Sequence, residues 1–229
     1  MPRCPMSSPS LVVRVFLVLH VVAGTIAVGV GLVALLTVKG GRRHRRQGRA
    51  FLWSMAGVLG SATVLTLVGR NPYFAGLTAS SLIATFSGWR VLRRKRPDLD
   101  PSQRATRLDW GVALVALAVA AMLLALGHGG RLTRNVPVVL ALGYGTTAYA
   151  LWDLWRFRWP LARPFSPRLW LYEHLVKMIG AYFGTVAAFS GSVLVFLDPP
   201  WRQLWATTLG QVLAIALLLR YRRRPTAEP

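Results

Sequence analysis

The chain has 229 residues, of which 54% are apolar and only 15% are charged, whereas an ordinary globular domain has about 25% charged residues. Its 28 Lys and Arg residues outnumber its 7 Asp and Glu residues, which gives a net charge of +21. The apolar content excludes a disordered chain and argues against a soluble basic protein that binds nucleic acid. The single cysteine, Cys4, excludes an intramolecular disulfide framework and a multi-cysteine metal site. The composition is that of a basic integral membrane protein.

Charged residues divide the chain into seven uncharged stretches of 17 to 24 residues. A helix needs about 20 apolar residues to cross the hydrocarbon core of a bilayer. The sequence therefore predicts an all-α fold, a polytopic transmembrane helical bundle of about seven spans that forms a single integral membrane domain over residues 1–229. The predicted spans are about 15–38, 50–69, 71–89, 110–130, 135–152, 178–197 and 203–219.

Lysine and arginine are concentrated on one side of the predicted bundle. The segments after the first, third, fifth and seventh stretches carry six, seven, five and four cations, which is 22 of the 28. Because short cytoplasmic loops hold an excess of Lys and Arg, we expect the N-terminus outside and the C-terminus in the cytoplasm. The remaining cations are expected on the outer side: Arg3, Arg14, Arg70, Arg131, Arg134 and Arg202.

The basic cytoplasmic segments have two interpretations. They could bind anionic lipid head groups, at roughly 1 kcal/mol per cation, or they could only fix the topology, which is the simpler interpretation and the one we favour. The residues concerned are Arg42, Arg43, Arg45, Arg46, Arg49 and Arg93–Arg96. Besides the lipid bilayer we expect no nucleic acid as a partner, because no folded aromatic and basic surface accompanies the charges. The sequence identifies no protein partner.

Chemical motifs are few. No Walker loop, HExxH, GxSxG or CxxC occurs, so the motifs of hydrolases and nucleotide-driven proteins are missing. No Asp, Glu or Lys lies in the middle of a predicted span, which argues against a carboxylate proton relay. We therefore name no catalytic residue, and the sequence favours a protein that is not an enzyme.

The four histidines divide between the two membrane faces. His20 and His128 are predicted toward the outer face, and His44 and His174 toward the cytoplasm. Paired imidazoles near each face hold the haems of b-type cytochromes. The alternative is a structural role for at least two of them, because the small residues that follow His20 and His174 are also how helices pack closely in lipid.

Three segments of the chain resemble an uncharacterised family of bacterial multi-pass membrane proteins. They are LHVVAGTIAVGVGLVALLTVKGGRRHRRQGRAFLWSM, EHLVKMIGAYFGTVAAFSG and PPWRQLWATTLG. The positions that carry the resemblance are His20, Gly24, Lys39, Gly40, His44, Arg45, Gly48, Glu173, His174, Met178, Gly180, Trp205, Thr208 and Gly210. The resemblance covers both ends of the chain but is thin between about residues 90 and 165, and His128 matches no position in it. It implies a multi-pass location in the bacterial inner membrane.

The residues that the resemblance selects among the histidines, together with a neighbouring glutamate, form the expected site: His20, His44, His174 and Glu173. His44 and His174 share the predicted cytoplasmic interface, where Glu173 could neutralise a cation or orient an imidazole. We expect a membrane protein that binds a small ligand or lipid there. One alternative is a b-type haem protein with two histidine ligands that exchanges electrons with quinone, and another is a small-molecule transporter. Two histidines and a glutamate are too few ligands to name a metal ion.

Overall fold

The computed structural model describes residues 10–130, 135–160 and 168–223, and over these ranges the chain contains seven α-helices and no strand. The helices are α1 (Leu11–Leu36), α2 (Arg42–Gly69), α3 (Pro72–Arg90), α4 (Arg107–His128), α5 (Val136–Arg158), α6 (Leu169–Val193) and α7 (Trp201–Arg222). Two 3₁₀ turns, Val91–Arg93 and Pro101–Gln103, lie between α3 and α4. The predicted all-α helical bundle is confirmed. Cys4, Arg3, Arg131 and Arg134 lie outside the described residues.

Local sequence explains where the helices around the α3–α4 connection begin. Asn71 caps α3 by accepting a hydrogen bond from the backbone N–H of Tyr73 at 2.9 Å, and Pro72 follows at the first helical position. A proline there loses no helical hydrogen bond. At the start of α4, Thr106 and Asp109 form a reciprocal capping box, which satisfies two backbone N–H groups that would otherwise lack acceptors.

Four helices are long and apolar enough to cross a membrane: α1, α2, α7, and α4 with the 3₁₀ turn before it. Many large apolar side chains on α1 face outward, among them Val18 (62% exposed) and Val21 (55% exposed). By contrast, α6 contributes ten buried residues and α3 contributes seven. Within α3, α5 and α6, polar side chains such as Ser87, Asp153 and Lys177 contact one another inside the bundle.

Close packing sets the position of α6 against its neighbours. The helices form the antiparallel pairs α1–α2, α4–α5 and α6–α7, and α3 packs against α2, α4, α5 and α6. Helix α1 approaches α6 at Gly31, where a Cβ atom would lie 2.6 Å from the ring of Tyr182. A larger residue at this position would therefore push the two helices apart.

Helices α5 and α6 continue past the charged residues that bound the predicted fifth and sixth spans. The fifth span was expected to end at residue 152 and the sixth to begin at residue 178, because Asp153 and Lys177 are charged. In the structure α5 continues to Arg158, while α6 begins at Leu169 and ends at Val193. Asp153 and Lys177 lie inside these helices because they pair with each other, which offsets part of the cost of removing each charge from water.

Candidate functional site

His20 and His128 each contact a neighbouring helix. The Nδ1 atom of His20 lies 3.2 Å from the carbonyl oxygen of Val58 and 3.2 Å from Oγ of Ser61, both on α2. Exposed His128 lies 2.8 Å from the hydroxyl of Tyr144 on α5. His20 precedes Ala34 by fourteen residues within α1, which is about 21 Å along the helix axis. The structure therefore does not bring His20 to the end of α1 where the other predicted site residues lie.

His44 and His174 do lie at one end of the bundle. Nδ1 of His44 is 3.0 Å from the carbonyl oxygen of Ala34, and Nδ1 of His174 is 2.8 Å from that of Gly88. Since a carbonyl can only accept, Nδ1 of each ring donates this hydrogen bond. His174, His44 and Lys39 lie close enough to interact electrostatically, and partial burial lowers the pKa of Lys39. These three residues form a basic corner beneath α3.

Glu173 faces α5 and not the imidazole next to it in sequence. Its Oε1 atom accepts hydrogen bonds from Nε1 of Trp152 at 2.7 Å and from Nε of Arg156 at 3.2 Å. The Glu173 and Arg156 side chains are each 9% exposed. Glu173 thus neutralises a cation, one of the two roles expected for it, while the carbonyl of Gly88 orients His174.

The sequence does not predict the buried ion pair that joins α5 to α6. Nζ of Lys177 on α6 donates to Asp153 on α5 and to Oγ of Ser87 on α3, the latter at 2.8 Å. Lys177 and Asp153 are each 2% exposed. Charge spacing alone predicts that both residues lie just outside the spans. One feature of the sequence indicates that helix α5 continues past Asp153: no proline or glycine occurs between Asp153 and Pro160.

Further pairs extend this arrangement into what we call the charge cluster. Asp109 accepts from Nε and Nη2 of Arg90, both at 2.8 Å, and lies 4.0 Å from Nη2 of Arg94. Across α3 to α6 and the first 3₁₀ turn, three carboxylates therefore face four cations. The members of the charge cluster are Arg90, Arg94, Asp109, Asp153, Arg156, Glu173 and Lys177.

An apolar groove adjoins the charge cluster. It is a cavity of about 370 Å³ between α5, α6 and α7, open on one side, with walls formed by residues that include Tyr149, Val176, Ile215 and Leu218. At its polar end lie Glu173, Lys177 and Arg222, together with the aromatic residues Trp152 and Tyr172. None of the four histidines lines the groove. The arrangement suits a molecule with an apolar chain and a polar end.

Among the described residues, no group of three or more His, Cys, Asp or Glu side chains is arranged so that it could hold a metal ion. The site therefore consists of a charge cluster, a basic corner and a groove. Comparison of the chain with protein-family models, with curated proteins and with solved structures finds no match in any of the three.

Proposed function

We propose that the chain is a multi-pass protein of the bacterial inner membrane that binds an anionic membrane lipid in the groove between α5, α6 and α7. The observation that carries the proposal is the apolar cavity of about 370 Å³ that ends against the charge cluster. Four helices suited to crossing a membrane support the location, as does the resemblance of both chain ends to bacterial multi-pass proteins. The function that we propose is lipid binding and not an enzymatic reaction.

All seven helices are proposed to span the membrane, with the N-terminus outside and the C-terminus in the cytoplasm. They contain 19 to 28 residues, and 1.5 Å per residue makes them about 28–42 Å long. The central helices α3, α5 and α6 tolerate polar residues because the outer helices and the ion pairs separate those residues from lipid.

Cysteine labelling tests this topology. In a Cys4→Ser background, Leu99→Cys between α3 and α4 is expected to react with a membrane-impermeant maleimide only after the cells are opened. Asp198→Cys, between α6 and α7, is expected to react in intact cells. Both parent residues are exposed, so access to the reagent depends on membrane side. Labelling of both positions from the same side would contradict the seven-span arrangement.

The walls of the groove fit a lipid chain. Its volume lies within the range of small-molecule sites, about 300–1,000 Å³. Ile215 and Leu219 on α7 are 56% and 48% exposed, so the groove opens toward the side of the bundle that faces hydrocarbon in a membrane. An acyl chain can therefore enter laterally, without passing through water.

The polar end of the groove favours a negatively charged head group. Glu173 and Lys177 already have partners of opposite charge within the charge cluster. Arg222, in the last turn of α7, forms no ion pair with any described residue and lies at the mouth. A phosphate on the lipid would supply the missing negative charge, while Trp152 and Tyr172 suit the interfacial depth where aromatic rings are enriched.

Filling the groove is expected to displace the lipid. Val176→Trp adds a large ring to its wall, and we expect the purified variant to retain at least about tenfold less added phosphatidylglycerol when examined by native mass spectrometry. Leu114→Trp, on an exposed face of α4, is the matched control and should bind as the unmodified protein does. Arg222→Gln should retain lipid but lose its preference for phosphatidylglycerol over phosphatidylcholine.

Equal lipid retention by Val176→Trp and Leu114→Trp, with unchanged helical circular dichroism, would contradict lipid binding in the groove. The same preparations test the haem alternative through their visible spectra, oxidised and dithionite-reduced. A Soret band after haem-supplemented expression that is lost in His174→Ala would favour the bis-histidine haem protein over the lipid-binding protein.

A further inference from the structure

The four consecutive basic residues Arg93–Arg96, which begin at the end of the first 3₁₀ turn, have different surroundings. Arg93 and Lys95 stack on tryptophan rings at 4.5 Å and 4.7 Å, and Arg96 pairs with Asp98 at 3.1 Å. Arg94 turns inward, and its side chain is only 9% exposed. Arg94 therefore belongs to a basic loop whose simplest interpretation is that it fixes the topology, but its side chain is buried within the charge cluster.

Arg94 is the excess cation of that cluster. Each carboxylate has a closer partner: Asp109 has Arg90, Glu173 has Arg156, and Asp153 has Lys177. The nearest carboxylate oxygen to Arg94 is 4.0 Å away on Asp109, where both oxygens already accept hydrogen bonds from Arg90. The guanidinium face of Arg94 lies over the ring of Phe157, 4.6 Å from its centroid.

The Nε–H group of Arg94 lacks an acceptor within the described part of the chain. It is inaccessible to solvent and has no hydrogen-bond partner among the described residues. A buried donor without an acceptor loses its hydrogen bond to water without compensation, and the cost is greater when the group is charged. The Nε–H groups of Arg90 and Arg156 both donate to carboxylates, whereas that of Arg94 donates to no described residue. An acceptor from outside the chain would remove the cost.

A small cleft beside Arg94 has room for such an acceptor. It lies between the first 3₁₀ turn, α5 and α6, and Arg94, Arg156 and Phe157 are among its lining residues. Its inner volume is about 20 Å³, which accommodates one water-sized atom. The cleft is partly open to its surroundings. Asp153 and Glu173 also line it, but their charges are balanced by Lys177 and Arg156.

We propose that this cleft binds a phosphate group, with one phosphate oxygen accepting the Nε–H of Arg94 and the rest of the group at the mouth beside Arg156. Because this N–H is closed to a water-sized molecule in the structure, binding requires the Arg94 side chain to rotate toward the cleft. A charged N–H donor makes a stronger hydrogen bond to a phosphate oxygen than a neutral donor does. The net charge of the cluster, one positive, becomes balanced when the anion binds. The phosphate belongs either to a lipid head group at the cytoplasmic surface or to free phosphate. The cleft shares Glu173 with the groove but is otherwise lined by different residues, and the proposal does not rest on lipid binding in the groove.

The test compares inorganic phosphate with chloride at equal ionic strength, using thermal unfolding of the purified protein in neutral detergent. Phosphate is expected to raise the Tm saturably in the unmodified protein and in Arg93→Gln, the matched control. In Arg94→Gln the apparent affinity should fall at least about tenfold. Broadening of the ³¹P resonance of phosphate by the unmodified protein gives a second measurement that requires no variant.

A second experiment with a soluble lipid distinguishes a lipid head group from free phosphate. Dihexanoylphosphatidylglycerol is added to Val176→Trp, so that binding in the groove does not contribute. A Tm shift from this lipid but not from inorganic phosphate assigns the site to head groups, while a shift from both assigns it to phosphate in general. If neither probe shifts the Tm more than chloride does, and the ³¹P resonance stays sharp, water alone fills the cleft and the proposal is wrong.

Discussion

Lys177→Met is expected to lower the free energy of unfolding by about 3–5 kcal/mol, the cost of leaving a buried charge without its partner. The substitution nearly preserves side-chain volume but removes the ammonium group that Asp153 and Ser87 contact. Asp153, only 2% exposed, then has no other described side chain that neutralises it directly. The measurement is the midpoint of SDS-induced loss of helical circular dichroism in mixed micelles.

Two controls identify the cause of the loss. Lys95→Met removes an exposed lysine that stacks on Trp170, and we expect it to cost no more than about 1 kcal/mol. The double variant Asp153→Leu/Lys177→Met replaces both charges with apolar groups and should regain most of the stability. Equal losses from Lys177→Met and Lys95→Met would show that the buried pair does not hold α3, α5 and α6 together.

The helical bundle could be predicted because charged residues in outward-facing helices such as α1 and α4 lie only near the helix ends. In α1 and α4 no charged residue interrupts the stretch over most of the helix, so charge spacing alone located them. The same rule ends the predicted spans at Asp153 and Lys177, although helices α5 and α6 continue past both residues. Hydropathy treats each helix by itself, whereas Asp153 and Lys177 are tolerated through a contact between helices.

The site was less predictable than the fold for a related reason. His174 and Glu173 were selected as individual polar residues, but their partners, Gly88 and Arg156, depend on packing. Lys177 lies 24 residues from Asp153 and 90 residues from Ser87 in the chain. No local pattern relates such positions, so the charge cluster and the groove beside it became visible only when the helices were assembled.

Asp109→Ala is expected to destabilise the protein by a comparable amount, about 3–5 kcal/mol, because one carboxylate serves two structural purposes. It pairs with Arg90 at the end of α3 through two hydrogen bonds of 2.8 Å. Its Oδ2 atom also accepts the backbone N–H of Thr106 at 2.8 Å, which completes the capping box of α4. Alanine removes both functions and leaves the guanidinium of Arg90 partly buried, with 15% of its side chain exposed.

Asp98→Ala is the matched control, because Asp98 lies in the same connection and also pairs with an arginine, Arg96. That pair is more exposed, at 17% and 40% of the two side chains, and such surface pairs are worth about 0–1 kcal/mol. Asp109→Asn keeps an acceptor for the cap but loses the charge, so its loss should lie between those of the two alanine variants. If Asp109→Ala unfolds at the same SDS midpoint as Asp98→Ala, the junction between α3 and α4 does not depend on the buried carboxylate, and burial has not strengthened the pair.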